Sequence, residues 1–257
     1  MILTVDIGNS RIKLAQWQAG IIVARKVSSP ADINLATTLD ALFSGLDKPS
    51  RMLAVCVADE KKRQALVAWV ARHWQLSVEF MKTEKQYKNI INAYDDPGQH
   101  GADRWAAVVA AHELFSAAPV CVVSAGTAIT FDFVSEKGEH LVGYILPSYV
   151  TMHRALLGDT ANVIADLSMQ FIDNEKIPDN TSDAVNHGLH KLLQAGVREL
   201  CSSAKQILGE SVKIIITGGF AETILNYPDM PKMHHQPDLV MQGLYSIMMQ
   251  SQDQTES

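Results

Sequence analysis

Ile2-Leu3-Thr4-Val5-Asp6-Ile7-Gly8-Asn9-Ser10-Arg11-Ile12-Lys13 is an apolar run that stops at a carboxylate and a cluster of turn-forming residues. The pattern predicts a strand ending near Asp6, a tight turn, and a second strand leaving from Arg11. The turn has two chemical readings. A carboxylate at a strand end can hold magnesium directly or through water, because hard cations prefer oxygen ligands. Gly8 lets backbone N–H groups approach a phosphate with no side chain in the way. Asn9 and Ser10 add polar groups, and Lys13 can return from the next strand as a point charge. Gly-Asn is equally a good hairpin dipeptide, so this stretch alone leaves a phosphate loop and an ordinary hairpin both open.

Outward from that turn, Gly20 closes a second turn before Ile21-Ile22-Val23-Ala24, giving three successive strands. Helical spacing follows over 31–46, then a strand over 52–57, a helix around Ala65 to Trp74, and a short strand at 78–80. The Ala-rich stretch 106–115 reads as a helix. After it the organisation begins again. Val120-Cys121-Val122-Val123 is an apolar strand ended by Ser124-Ala125-Gly126-Thr127; strands over 128–134 and 140–145 flank the turn Lys137-Gly138. Helices are predicted over 150–157, 182–208 and 239–249, with a strand at 212–216. The fold expectation is therefore α/β in two similar halves, 1–117 and 118–257, dividing near Ala117-Ala118-Pro119. The polar stretch 251–257 reads as a frayed tail.

The second half repeats the small-residue turn as Ser124-Ala125-Gly126-Thr127-Ala128-Ile129-Thr130, and a third stands at Thr217-Gly218-Gly219-Phe220-Ala221. Two such turns facing each other would grip a nucleotide triphosphate. A Gly-Gly at a strand-to-helix junction lets the backbone pass close to phosphates, and it also suits a close-packed turn. Neither the P-loop pattern ending Gly-Lys-Ser/Thr nor a dinucleotide G-x-G-x-x-G is present. Just before the predicted helix at Ala106 lies Gly101-Ala102-Asp103-Arg104-Trp105. Asp103 can be a first-turn carboxylate stabilised by the helix dipole. It can also accept the proton of a substrate hydroxyl attacking a γ-phosphate, with Arg104 holding an anionic substrate. Phosphoryl transfer asks mainly for positioning and charge stabilisation, so one aligned carboxylate suffices.

Composition limits the alternatives. A formal net charge of -6 gives no electrostatic reason to expect nucleic acid as a partner. Lys61-Lys62-Arg63 reads as a solvated helix face. No apolar run is long enough for a membrane span, and the first residues read as a strand rather than a secretory signal. Cys56, Cys121 and Cys201 suit reduced thiols, which makes cytoplasmic residence the expectation. The histidines, including His187 and His190 on one helix face, carry no metal-ligand spacing and read as core or solvated.

The ordered set Val5-Asp6-x-Gly8-Asn9-Ser10, Tyr94-x-x-Pro97-x-x-x-Gly101-x-Asp103-Arg104, Gly126-Thr127-Ala128-x-Thr130-x-Asp132, Gly143-Tyr144-Ile145-x-Pro147, Thr160-Ala161, Thr181-x-x-Ala184-x-x-x-Gly188 and Thr217-Gly218-Gly219 resembles type III pantothenate kinases. The resemblance implies two RNase-H-like domains of the sugar-kinase/actin-like ATPase class. It implies ATP-dependent phosphorylation of pantothenate to 4'-phosphopantothenate, the first step of coenzyme A synthesis. A homodimer, Mg2+ and a monovalent cation (K+ or NH4+) come with it. Carried over by position, Asp6, Ile7, Gly8, Asn9, Ser10, Arg11, Ile12, Lys13, Thr127, Gly218 and Gly219 bind ATP, with Asp6 toward magnesium. Gly101, Ala102, Asp103, Arg104, Tyr94 and Thr181 bind pantothenate, and Asp103 is the base. Three positions depart from the family pattern. Ser124 stands where an Asp is usual, at the monovalent-cation position; Val142 and Ser148 replace glycines. A relative that keeps ATP binding as a regulatory protein is the competing reading. Asp103 beside Arg104 favours the enzyme, since a binding module has no use for a base. A chaperone- or actin-like ATPase is disfavoured by size.

Overall fold

The computed structural model describes residues 1–28, 34–116, 118–160, 164–167 and 177–253. Residues 31–33 of the first predicted helix, Ala117 at the expected division, Ala161 of the Thr-Ala motif and residues 254–257 of the tail lie outside the described residues. The chain forms two compact units. Met1–Tyr87, Tyr94–Ala110 and Asp238–Ser257 make the first; Lys88–Ala93 and Ala111–Pro237 make the second. The sequence suggested a single cut, whereas the units interleave along the chain.

In the first unit the meander forms as expected: β1 (Ile2–Ile7), β2 (Ile12–Gln18) and β3 (Ile21–Val27). Then come α1 (Leu35–Phe43), β4 (Arg51–Cys56), α2 (Glu60–Trp74) and β5 (Glu79–Phe80). The sheet order is β3-β2-β1-β4-β5, with β1 antiparallel to β2 and parallel to β4. Strand alternation sends Leu3, Val5 and Ile7 to one face, where they pack with Leu39, Leu42 and Phe43 of α1 and Leu66 and Val70 of α2. The same alternation puts Thr4 and Asp6 on the other face. Thr4 is buried there and accepts a hydrogen bond from Trp17 Nε1 at 2.9 Å.

The helix read over 106–115 starts earlier, as α3 (Ala102–Leu114), so Asp103 and Arg104 fall within its first turn. The division between units falls inside α3, after Ala110.

In the second unit β6 (Val120–Ala125), β7 (Ala128–Val134) and β8 (His140–Pro147) form the second meander. They are followed by α4 (Tyr149–Asp159), α5 (Thr181–Leu208), β9 (Lys213–Thr217), α6 (Ala221–Leu225) and β10 (His234–His235). The order β8-β7-β6-β9-β10 repeats that of the first sheet, again with only the second strand antiparallel. This is the RNase-H-like arrangement, and it occurs twice. Leu193, Val197, Cys201 and Ala204 lie on one stripe of α5 at spacings of four and three, the period of an apolar helix face. They meet Cys121, Val123, Ile129 and Phe131 of the sheet.

The last helix, α7 (Leu239–Asp253), belongs to the first unit. Leu239, Met241, Leu244 and Met248 are buried. Thr4 Oγ1 lies 3.3 Å from Met241 Sδ, and Tyr245 stacks on Trp17 with centroids 4.4 Å apart. The helix thus covers the sheet face that α1 and α2 leave open.

Candidate active site

The turn between β1 and β2 is held at its start by Gly8 N–H, which donates to Arg11 O at 3.0 Å. That amide is engaged within the turn and is not open to an anion. Asp6 pairs in register with Lys13 across the strands. Its carboxyl keeps some surface open, yet protein surrounds it closely enough to raise its pKa from 3.8 to about 7. Burial is the main cause, because the charged form loses hydration. The negative charge of Asp103 adds to it, and Lys13 opposes both. A carboxyl crowded by burial and by a second carboxylate's charge is relieved by a cation, and oxygen donors at a strand end suit a hard one. These residues therefore fit magnesium.

Asp103 is positioned by the start of α3. Its Oδ1 accepts from Arg104 N–H at 2.9 Å. A Cβ on Gly101 would lie 2.9 Å from that same oxygen, so a glycine two residues earlier leaves room for the carboxylate. Arg104 is buried, donates from Nη1 to Tyr94 OH at 3.2 Å, and has its guanidinium 5.9 Å from the Tyr94 ring centre. Tyr94 stacks on His100 at 4.8 Å, and its carbonyl accepts from Lys85 Nζ at 2.9 Å. A planar, always-charged guanidinium held against an aromatic ring is preorganised for a carboxylate. The first unit therefore brings Asp6, Lys13, Tyr94, Gly101, Ala102, Asp103 and Arg104 together as one set.

The second unit carries the other expected residues. Gly126 N–H donates to Ala128 O at 2.9 Å, closing the turn after β6, and Thr127 O accepts from Thr151 Oγ1 at 3.0 Å. Ser124 pairs in register with Thr130 and with Thr217 of β9. That parallel pairing brings the Gly218-Gly219 turn beside the Ser124–Thr127 turn, with Phe220 N–H donating to Ala125 O at 3.0 Å. Gly218 has φ +104°, and a Cβ there would lie 2.3 Å from Ala125 O. Packing alone demands glycine at this position. The helix that follows, α6, has five residues and no side-chain hydrogen bond at its cap residue Phe220. Thr181 stands exposed on the first turn of α5, after the cap Asn180. Val142 is partly buried, and Ser148 caps α4 by accepting from Thr151 N–H.

The sequence model of the type III pantothenate kinase family matches residues 2–203. A type III pantothenate kinase from Nitrosococcus oceani is 33% identical over 260 residues, covering 96% of this chain and 93% of that one. This chain belongs to the type III pantothenate kinase family. Among solved structures, a Campylobacter jejuni protein assigned to the Baf family of transcriptional activators superposes with a TM-score of 0.58 at 20% identity, covering 98% of this chain and 99% of that one. The activator of 2-hydroxyisocaproyl-CoA dehydratase from Clostridium difficile, solved with bound ADPNP, gives 0.51 at 10% identity, covering 100% and 97%. Both share with this chain the actin-like ATPase fold.

One assignment changes. Lys62 is not simply part of a solvated face: its Nζ reaches Gly8 O at 3.1 Å and Asn9 O at 2.6 Å. The signal lay in the topology, since β4 runs parallel to β1 and delivers the start of α2 beside the turn. His140 is a core histidine with a definite partner. It is buried with Nε2 3.0 Å from Asp132 Oδ1, while its Nδ1 accepts from Ala93 N–H at 3.4 Å. Among the described residues no helix is long and apolar enough to cross a membrane.

Proposed function

We propose that this protein phosphorylates the terminal hydroxyl of pantothenate with ATP, giving 4'-phosphopantothenate and ADP, the entry step of coenzyme A synthesis. The observation that carries the reading is Asp103 in the first turn of α3, with Arg104 on one side and Asp6 within its electrostatic reach. Arg104, braced by Tyr94, pairs with the pantothenate carboxylate. The Asp103 carboxylate takes the proton as the hydroxyl oxygen bonds to the γ-phosphorus and the bond to ADP breaks. Asp6 and Lys13 serve the phosphates, with Asp6 toward Mg2+. Magnesium supplies charge neutralisation on the phosphate oxygens when bound. The rest of segment 6–13 serves ATP as well, as do Thr127, Gly218 and Gly219, and Thr181 serves pantothenate.

Three further parts of the reading are proposals. The protein acts as a homodimer, it works in the cytoplasm with its three thiols reduced, and its monovalent-cation site is weakened by Ser124. A coupled assay of ADP release tests the main claim. Release that depends on pantothenate supports it. ATP binding without pantothenate-dependent release would favour the regulatory alternative.

A further inference from the structure

The start of α2 is tied to the turn of the first unit by register. β1 and β4 are parallel with Ile7 opposite Cys56, so both strands finish at one level, and Val57 N–H donates to Ile7 O at 3.1 Å. Asp59 then caps α2, its Oδ1 accepting from Lys62 N–H at 3.0 Å. The Lys62 side chain therefore leaves the first turn of the helix beside Gly8 and Asn9. Its neighbours do other things: Lys61 is exposed, while Arg63 pairs with Glu60 at 3.4 Å and lies 4.4 Å over the Phe80 ring.

We propose that Lys62 is a positioning residue that sets the orientation of the Asn9 and Ser10 amides in the turn between β1 and β2. A trans peptide is planar, with its C=O and the following N–H on opposite sides. Two consecutive carbonyls, Gly8 O and Asn9 O, converge on one ammonium. The N–H groups of Asn9 and Ser10 are thereby turned to the side away from α2. Successive N–H groups directed to one side make a concavity for an anion. Without the ammonium nothing in Gly8 itself resists rotation of the Gly8–Asn9 peptide, since glycine lacks the Cβ that restricts other residues. A rotated peptide would present carbonyl oxygen, not N–H, to a phosphate. The inference rests on the reading of this turn as the ATP phosphate site, and it adds how the site is kept in its binding geometry.

The test compares wild type, Lys62→Met, Lys62→Gln and Lys62→Arg. Titration calorimetry measures the Kd for ATP with magnesium, steady-state assay gives KM for pantothenate, and 15N spectra follow the ligand-free amides. Losing a charged hydrogen-bond donor predicts ATP binding about 10- to 150-fold weaker in Lys62→Met. The pantothenate KM should move much less, and the Asn9 and Ser10 amide resonances should shift before any ligand is added. Lys62→Arg, whose fork reaches two acceptors, should recover most of the affinity. A folded Lys62→Met protein that binds ATP like wild type, or that loses both substrates equally, overturns the proposal. If that variant does not fold, Lys62→Gln is compared with Lys62→Arg: equal ATP affinity in the two overturns it, and weaker binding in the glutamine protein supports it. Wild type that fails to bind ATP would instead defeat the reading of the turn itself.

Discussion

Asp103 lies near enough to Asp6 for its negative charge to reinforce burial in lifting the Asp6 carboxyl from 3.8 to about 7. The two residues arrive from distant parts of the chain, one at the end of β1 and one in the first turn of α3. Because the folded pKa is the higher one, the folded protein holds an extra proton between the two values. Stability from this group is therefore complete below about 3.8 and is lost as pH rises through about 7. Ligand-free wild type should lose melting temperature relative to Asp6→Asn across that window, and magnesium with ATP should reduce the loss. Parallel melting curves for the two proteins from pH 4 to pH 8 would contradict the coupling.

Asp103→Asn is nearly isosteric but cannot take a proton. Loss of one general base costs typically about 10²–10⁴-fold in rate. Turnover should fall by that order while ATP binding by calorimetry stays close to wild type. Wild-type turnover in this variant removes Asp103 from the mechanism.

Arg104→Ala should raise the pantothenate KM by roughly 10- to 150-fold, the cost of one charge-assisted hydrogen bond, and change the ATP value far less. Tyr94→Phe removes only the 3.2 Å contact that braces the guanidinium, so its effect should be in the same direction and smaller. Equal loss for both substrates in Arg104→Ala marks the arginine as structural, a real alternative for a side chain this buried.

Much of the fold was legible in the sequence because strand–turn–strand patterning repeats, while the small-residue turns at the strand ends suit an ordinary hairpin as well as a phosphate loop. The two three-strand meanders follow from it, whereas the order of the strands in each sheet comes from the parallel pairings of β1 with β4 and β6 with β9. α7 was legible as a helix, but its periodicity says nothing of which sheet it covers; the contacts of Met241 with Thr4 and Tyr245 with Trp17 decide that. Lys62 was hidden for a similar reason. Its role depends on the parallel register of β1 and β4, a long-range relation that a local charge run does not carry. At Gly218 the close approach to Ala125 O requires glycine whether or not a ligand binds there, so the residue type by itself does not separate packing from binding.

Gly218→Ala therefore tests packing. Strain at φ +104° and the clash at 2.3 Å should lower stability by more than ~1 kcal/mol, read as a lower urea midpoint. An unchanged midpoint with weaker ATP binding would give the position a direct role at the nucleotide instead.

At the proposed monovalent-cation site, Ser124 offers a neutral hydroxyl, a poorer ligand for a cation than a carboxylate. Potassium should activate weakly or not at all, and Ser124→Asp should lower the potassium needed. Saturation of wild type at low potassium, with no gain in the variant, would remove this account of the substitution.

The most direct measurement is transfer of labelled γ-phosphate from ATP to pantothenate, with the product identified by mass spectrometry, in wild type and Asp103→Asn side by side. The account predicts labelled 4'-phosphopantothenate from wild type and a loss of about 10²-fold or more in the variant. Wild-type protein that binds ATP yet transfers no label to pantothenate would contradict it.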